Sequence, residues 1–94
     1  MPPLDEDQIR DALAGTDWRN EGAAIVRDFR FPDFAAAIAF VNRVAEVAEQ
    51  ANHHPDILVH GYRHVRLTLS THTSGTVTGA DHRLAAAIDD LAPR

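Results

Sequence analysis

Glu49, His53, His54 and Pro55 stand in the pattern Glu-x-x-x-His-His-Pro, and Tyr62, His72 and Asp81 follow them. Histidine gives and takes protons near neutral pH, and a carboxylate beside it can fix its orientation or tune its charge. The grouping therefore points to proton-transfer chemistry. The chain has six histidines, and all of them lie between His53 and His82. Each candidate also has an ordinary structural use. Glu49 and His53 are four apart, so on a helix they are neighbours and would form a plain surface pair. His53 and His54 are adjacent and diverge by about 100° on a regular helix. They can line one pocket only where the helix gives way, and Pro55 forces a break by disfavouring helix at His54. His72 ends a strand, Asp81 suits a helix cap, and Tyr62 reads as a turn-flanking aromatic that covers the core. His60, His64 and His82 read as exposed, and Trp18 as core or interface. No metal is expected, because the chain lacks cysteine and no two histidines four apart lie on a predicted helix, as helical zinc sites require.

These residues need elements to position them. Asp5 to Ala14 reads as a short helix with acidic residues at its start and Gly15 as its stop. Trp18–Asn20 and Ala23–Phe31 read as a hairpin turning near Glu21-Gly22, with Ile25, Phe29 and Phe31 on one face and Arg27 an exception. Pro32 to Asn52 reads as the longest helix, opened by Asp33, with Phe34, Ile38, Val41, Val44, Ala45 and Ala48 as its apolar stripe. It should end around Asn52 or His53, where the helix dipole favours protonated imidazole. Ile57–His60 and Val65–Thr71 read as a second hairpin. Val65, Leu67, Leu69 and Thr71 point one way; Arg66, Thr68, Ser70 and His72 point the other. Residues 73–77 read as a loop. Thr78 with Asp81 forms a capping box that opens a last helix to about Leu91, with Leu84, Ala87, Ile88 and Leu91 inward. The predicted order is α-β-β-α-β-β-α in one domain, 1–94.

Composition narrows the function. The chain has 94 residues, is 45% apolar and 24% charged, and carries a net charge of −5. That is ordinary for a small globular fold, and self-association would let it bury more surface. With an acidic balance and no dense basic run, direct nucleic-acid binding is not expected. The absence of a visible signal peptide or a long apolar run argues against secretion or a membrane span and for the cytoplasm.

Together these residues resemble the pterin-4a-carbinolamine dehydratase family, also known as the dimerisation cofactor of a homeodomain transcription factor. The family's pattern is an acidic residue, three spacers, His-His-Pro, an aromatic, then His and Asp. It is met here by Glu49, His53, His54, Pro55, Tyr62, His72 and Asp81. Val65 to His72 also resembles the family's strand before its last helix. Ile57 departs from the tryptophan many members carry there, and the loop 73–77 is individual to this chain; both bear on pocket shape and substrate preference.

The resemblance implies an α+β domain whose four-stranded antiparallel sheet carries its helices on one face. It implies dehydration of 4a-hydroxytetrahydrobiopterin to quinonoid dihydropterin and water, which regenerates tetrahydrobiopterin for the aromatic amino-acid hydroxylases. It implies His53, His54 and His72 as the catalytic set, with Glu49, Asp81 and Pro55 against the substrate. On this expectation His54 and His72 flank the reacting C4a–N5 edge. Glu49 binds the pterin or tunes His53, and Asp81 orients His72. The residues suit the reaction, since hydroxide leaves poorly without a general acid and the C4a=N5 bond forms only when a base removes the N5 proton. No cofactor is implied, and a homodimer or homotetramer is. Two other readings stay open: a non-catalytic dimerisation or coactivator module, and action on another pterin such as a molybdopterin-type compound.

Overall fold

In the computed structural model, which describes residues 3–71 and 75–92, local capping fixes where each helix begins. Asp5 accepts from the backbone N–H of Gln8, whose side chain accepts in return from the N–H of Asp5, and α1 runs Glu6–Leu13. The Asp33 carboxylate accepts from the N–H of Ala36 at 2.8 Å and opens α2, Phe34–Ala51. Thr78 and Asp81 make the expected capping box at the start of α3, Gly79–Leu91. Each cap satisfies amide groups that have no partner inside the helix.

The strands are β1 (Arg19–Glu21), β2 (Ala24–Arg30), β3 (Asp56–His60) and β4 (His64–Leu69). They form one antiparallel sheet in the order β1-β2-β4-β3. The element order and the sheet are those predicted. β4 alternates, with Val65, Leu67 and Leu69 buried and His64, Arg66 and Thr68 only partly so. The helices cover the inward face. Phe40 is fully buried there, with ring centroids 4.7 Å from Phe29 and 5.0 Å from Phe31. On the open face Asp28 pairs with Arg66 and Arg19. The hydrogen bond from Arg66 is the main cause holding the Asp28 carboxyl below its usual range, against a smaller opposing effect of burial.

Three expectations are corrected. The core face of α2 is Ala37, Phe40, Val44 and Ala48, while Phe34 is 54% exposed and Ala45 is also exposed. The helix carries apolar residues on two sides, and it turns so that its second phenylalanine meets the aromatic pair of the β2 side. Arg27 is no exception to the inward row. Its guanidinium lies 4.3 Å over the Phe29 ring and donates to Asp89 of α3 at 2.5 Å, an oxygen that also accepts from the Trp18 indole at 2.8 Å. Tyr62 does not cover the core; it is 60% exposed, because Gly61 and Tyr62 are successive left-handed residues (φ 54° and 53°) that turn the side chain outward.

Candidate active site

The break at the end of α2 decides which histidine faces the protein. Asn52 adopts a left-handed conformation, φ 49° and ψ 43°, which asparagine tolerates better than most residues. The N–H of His53 then bonds the carbonyl of Ala48, and that of Asn52 bonds the carbonyls of Ala48 and Glu49. This is the paired bonding of a Schellman turn. It carries His53 across to α3 and leaves His54 on the surface, with the half-buried Pro55 leading into β3.

His53 Nε2 lies 2.5 Å from Oδ1 of Asp81; the His53 side chain is 15% exposed and the Asp81 side chain 0%. The other oxygen of Asp81 accepts from the N–H of Thr78 at 2.8 Å and from the hydroxyl of Thr71 at 2.9 Å. The Thr71 and Thr78 hydroxyls are 2.6 Å apart, and the Thr78 oxygen accepts from the N–H of Ala80. The Thr71 proton points to Asp81, so Thr78 donates to Thr71. The donors thus run in one direction, from Ala80 through Thr78 and Thr71 to the carboxylate. A carboxylate only accepts, so Nε2 of His53 carries the proton toward Asp81. Nδ1 is the nitrogen left for chemistry.

His54 Nε2 lies 2.9 Å from Glu49 Oε2, with side chains 54% and 76% exposed. Glu49 was expected to bind substrate or to tune His53. Its side chain goes instead to His54, because the Schellman turn moves His53 off the helical face that the i,i+4 spacing assumes. His72 lies outside the described residues, as does any contact between it and Asp81; within the described residues the histidine that Asp81 meets is His53. Tyr62 is not brought to this site. It follows the far end of β3, roughly 13 Å along a five-residue strand from Asp56.

A cleft of about 310 Å³ opens beside His53 between α2 and α3. It is lined by Val47, Ala51, His53, Ala80, Arg83, Leu84 and Ala87. Its size is at the lower end of small-molecule sites. His82, expected to be exposed, turns to the other side of α3. There it lines a cavity of about 80 Å³ with Thr16, Trp18 and Asp89. Its Nε2 is buried without a partner, and burial pushes its pKa below the ordinary value, opposed by the charge of Asp81. Among the described residues no group of three or more histidine and carboxylate side chains is arranged to hold a metal ion. Thr71 and Thr78 were read from sequence as an inward residue and a cap, not as the support of the Asp81 carboxylate. The available signal was the inward-pointing threonine itself, since a buried hydroxyl in a Val-Leu-Leu row requires a partner.

The profile described as Pterin 4 alpha carbinolamine dehydratase matches residues 2–91. A Chloroflexus aurantiacus protein provisionally named pterin-4-alpha-carbinolamine dehydratase is 52% identical over 92 residues, covering 97% of this chain and 98% of that one. A Metallosphaera sedula protein with the same provisional name is 42% identical over 92 residues, covering 97% and 95%. Among solved structures, a transcriptional coactivator/pterin dehydratase from Brucella melitensis superposes with a TM-score of 0.91 at 33% identity, over 98% of this chain and all of that one. A pterin dehydratase-like protein identified as a RuBisCO assembly factor in the alpha-carboxysome superposes with a TM-score of 0.68 at 29% identity, over 82% and 90%.

Proposed function

The chain belongs to the pterin 4 alpha carbinolamine dehydratase family, and from that premise we propose that it dehydrates a 4a-hydroxytetrahydropterin to the quinonoid dihydropterin and water. The observation that carries this reading is the His53–Asp81 pair with its threonine bracing. In the reaction the C4a–O bond breaks as the hydroxyl takes up a proton and leaves as water. The N5–H bond breaks as its proton passes to a base, and the freed electron pair closes the C4a=N5 double bond. Charge and atoms balance with two proton transfers, so the chemistry calls for no redox partner.

His53 is assigned the base. Its Nδ1 takes the N5 proton, and the carboxylate behind Nε2 stabilises the imidazolium that forms. His54, exposed and paired with Glu49, is assigned the acid that protonates the leaving hydroxyl. His72 completes the set through the family pattern. A positioned acid and a positioned base are each worth roughly 10² to 10⁴ in rate. Glu49 also suits the amine and amide N–H groups on the pyrimidine edge of a pterin, and Pro55 holds His54 at that rim. The substrate would come from a hydroxylase that uses a tetrahydropterin, and the product would return to it by reduction.

Self-association belongs to the same proposal. β3 is an edge strand, and Ile57 and Leu58 on it are exposed. No helix among the described residues is long and apolar enough to cross a membrane; a cytoplasmic site of action is part of the proposal.

A second reading is favoured by the two solved neighbours, described as a coactivator and as an assembly factor. On it the domain binds a protein partner and catalysis is secondary. Stopped-flow absorbance separates the two. Acceleration of 4a-hydroxytetrahydropterin decay in proportion to protein concentration supports the dehydratase. Folded protein that leaves the decay at its spontaneous rate would move the assignment to the binding role.

A further inference from the structure

The proton transfers above leave the cleft between α2 and α3 unused. It begins at His53 and runs between Val47 and Ala51 of α2 and Ala80, Leu84 and Ala87 of α3. Three of those residues are alanines, and any larger side chain there would fill the space. Arg83 is the cation in this lining. Its guanidinium Nη1 lies 3.2 Å from where a Cβ on Gly79 would stand, so the glycine gives it room against the first turn of α3. A chain of net charge −5 repels anions overall, which makes a guanidinium beside the catalytic histidine a local exception.

Pterin geometry connects the cleft to the reaction. C6 is bonded directly to N5, so a pterin with N5 at His53 begins its C6 substituent where the cleft begins. The opposite, pyrimidine edge carries N–H donors that an apolar cleft would leave unpaired and that Glu49, on the His54 side, can accept. We propose that this cleft is the subsite for the C6 substituent and that Arg83 recognises an anionic group, phosphate or carboxylate, on it. A guanidinium pairs with either anion through two parallel hydrogen bonds. The inference rests on the pterin reading and names the substrate class within it.

The test uses the intact chain and its Arg83→Gln and Arg83→Lys variants. Binding is measured by calorimetry with stable oxidised pterins whose C6 substituent ends in a hydroxyl, a carboxylate or a phosphate. Turnover is measured separately with the matching 4a-hydroxytetrahydropterins. The expected result is wild-type affinity about tenfold higher for one anionic ligand than for the hydroxyl one. That preference disappears in Arg83→Gln and is partly kept in Arg83→Lys; which anion gains identifies the group. A cleft-filling Ala87→Phe variant should lose affinity for every long substituent relative to a 6-methyl pterin. Equal affinities across the three ligands in wild type overturn anion recognition, and an unaffected Ala87→Phe overturns the subsite. Turnover without the preference would refute this inference and leave the dehydratase reading standing. Arg83-dependent binding without turnover would do the reverse, and absence of both binding and turnover in folded protein would refute both.

Discussion

Asp81→Asn divides the two jobs of the buried carboxylate. Asparagine has the same shape, and its oxygen can still accept from the N–H of Thr78 and the hydroxyl of Thr71. The cap is kept, and the amide NH₂ then faces His53 where Oδ1 stood. An NH₂ donates, so Nε2 becomes an acceptor and the ring proton moves to Nδ1. The base assigned to N5 then has no free lone pair. In the serine-protease triad the same exchange, which leaves the histidine in the wrong tautomer, costs about 10⁴ in kcat. Loss of a typical general base costs about 10² to 10⁴. The expected fall in kcat is therefore about 10² to 10⁴, with no recovery on changing pH, because the tautomer is set by the amide. Three hydrogen bonds to a charged carboxylate, from His53, Thr78 and Thr71, become neutral ones, for about 1 kcal/mol each and roughly 3 kcal/mol in all. In a domain of this size each kcal/mol moves Tm by about 4–8 °C, so turnover is compared below the variant's own measured Tm. Stopped-flow turnover and thermal melts are run on the same preparation. A folded Asp81→Asn protein within threefold of wild-type kcat would refute the idea that Asp81 presents His53 to the substrate.

Thr71→Val removes the hydroxyl between Asp81 and Thr78 without changing size; the expected cost is roughly 1–3 kcal/mol in melts together with lower kcat, while Thr71→Ser restores both, and a neutral Thr71→Val would make the hydroxyl chain incidental. His82 is held below its ordinary pKa by burial, so the unfolded chain takes up a proton near pH 6.5 before the folded one does. Its contribution is full above pH 6.5 and is lost as pH falls toward the folded value. Tm measured from pH 7.5 to 5 should decline more steeply for wild type than for His82→Gln, and parallel curves would count against the burial argument. Leu58→Lys places a charge on the exposed edge strand and should shift the proposed self-association toward monomer in sedimentation velocity; wild type and variant sedimenting alike would count against an interface on β3.

Much of this was legible in the sequence, because capping and alternation are local. Asp33 before α2, the Thr78–Asp81 box and the Val65-Leu67-Leu69 row each follow from residues within a few positions of one another. What was not legible depends on where distant elements meet. His53 and Asp81 are 28 positions apart, and no periodicity reports that the last turn of α2 faces the first turn of α3. The helix break before Pro55 could be read, but the left-handed turn at Asn52, which sends His53 inward and His54 outward, could not. The rotation of α2 was ambiguous because Phe34 and Phe40 compete for the core and only the β2 side decides between them. Arg27 looked misplaced for the same reason: its partner Asp89 is 62 positions away. His82 gave no sequence signal, since its burial depends on α1 and Trp18 closing over α3.

The most direct measurement is the single-turnover decay of 4a-hydroxytetrahydropterin with wild type and His53→Gln side by side, each shown to be folded by circular dichroism. The expected result is clear acceleration by wild type and a rate about 10² to 10⁴ lower in the variant. A folded His53→Gln protein that matches wild type, or a wild type that leaves the spontaneous decay unchanged, would contradict the assignment of His53 as the base of a pterin dehydratase.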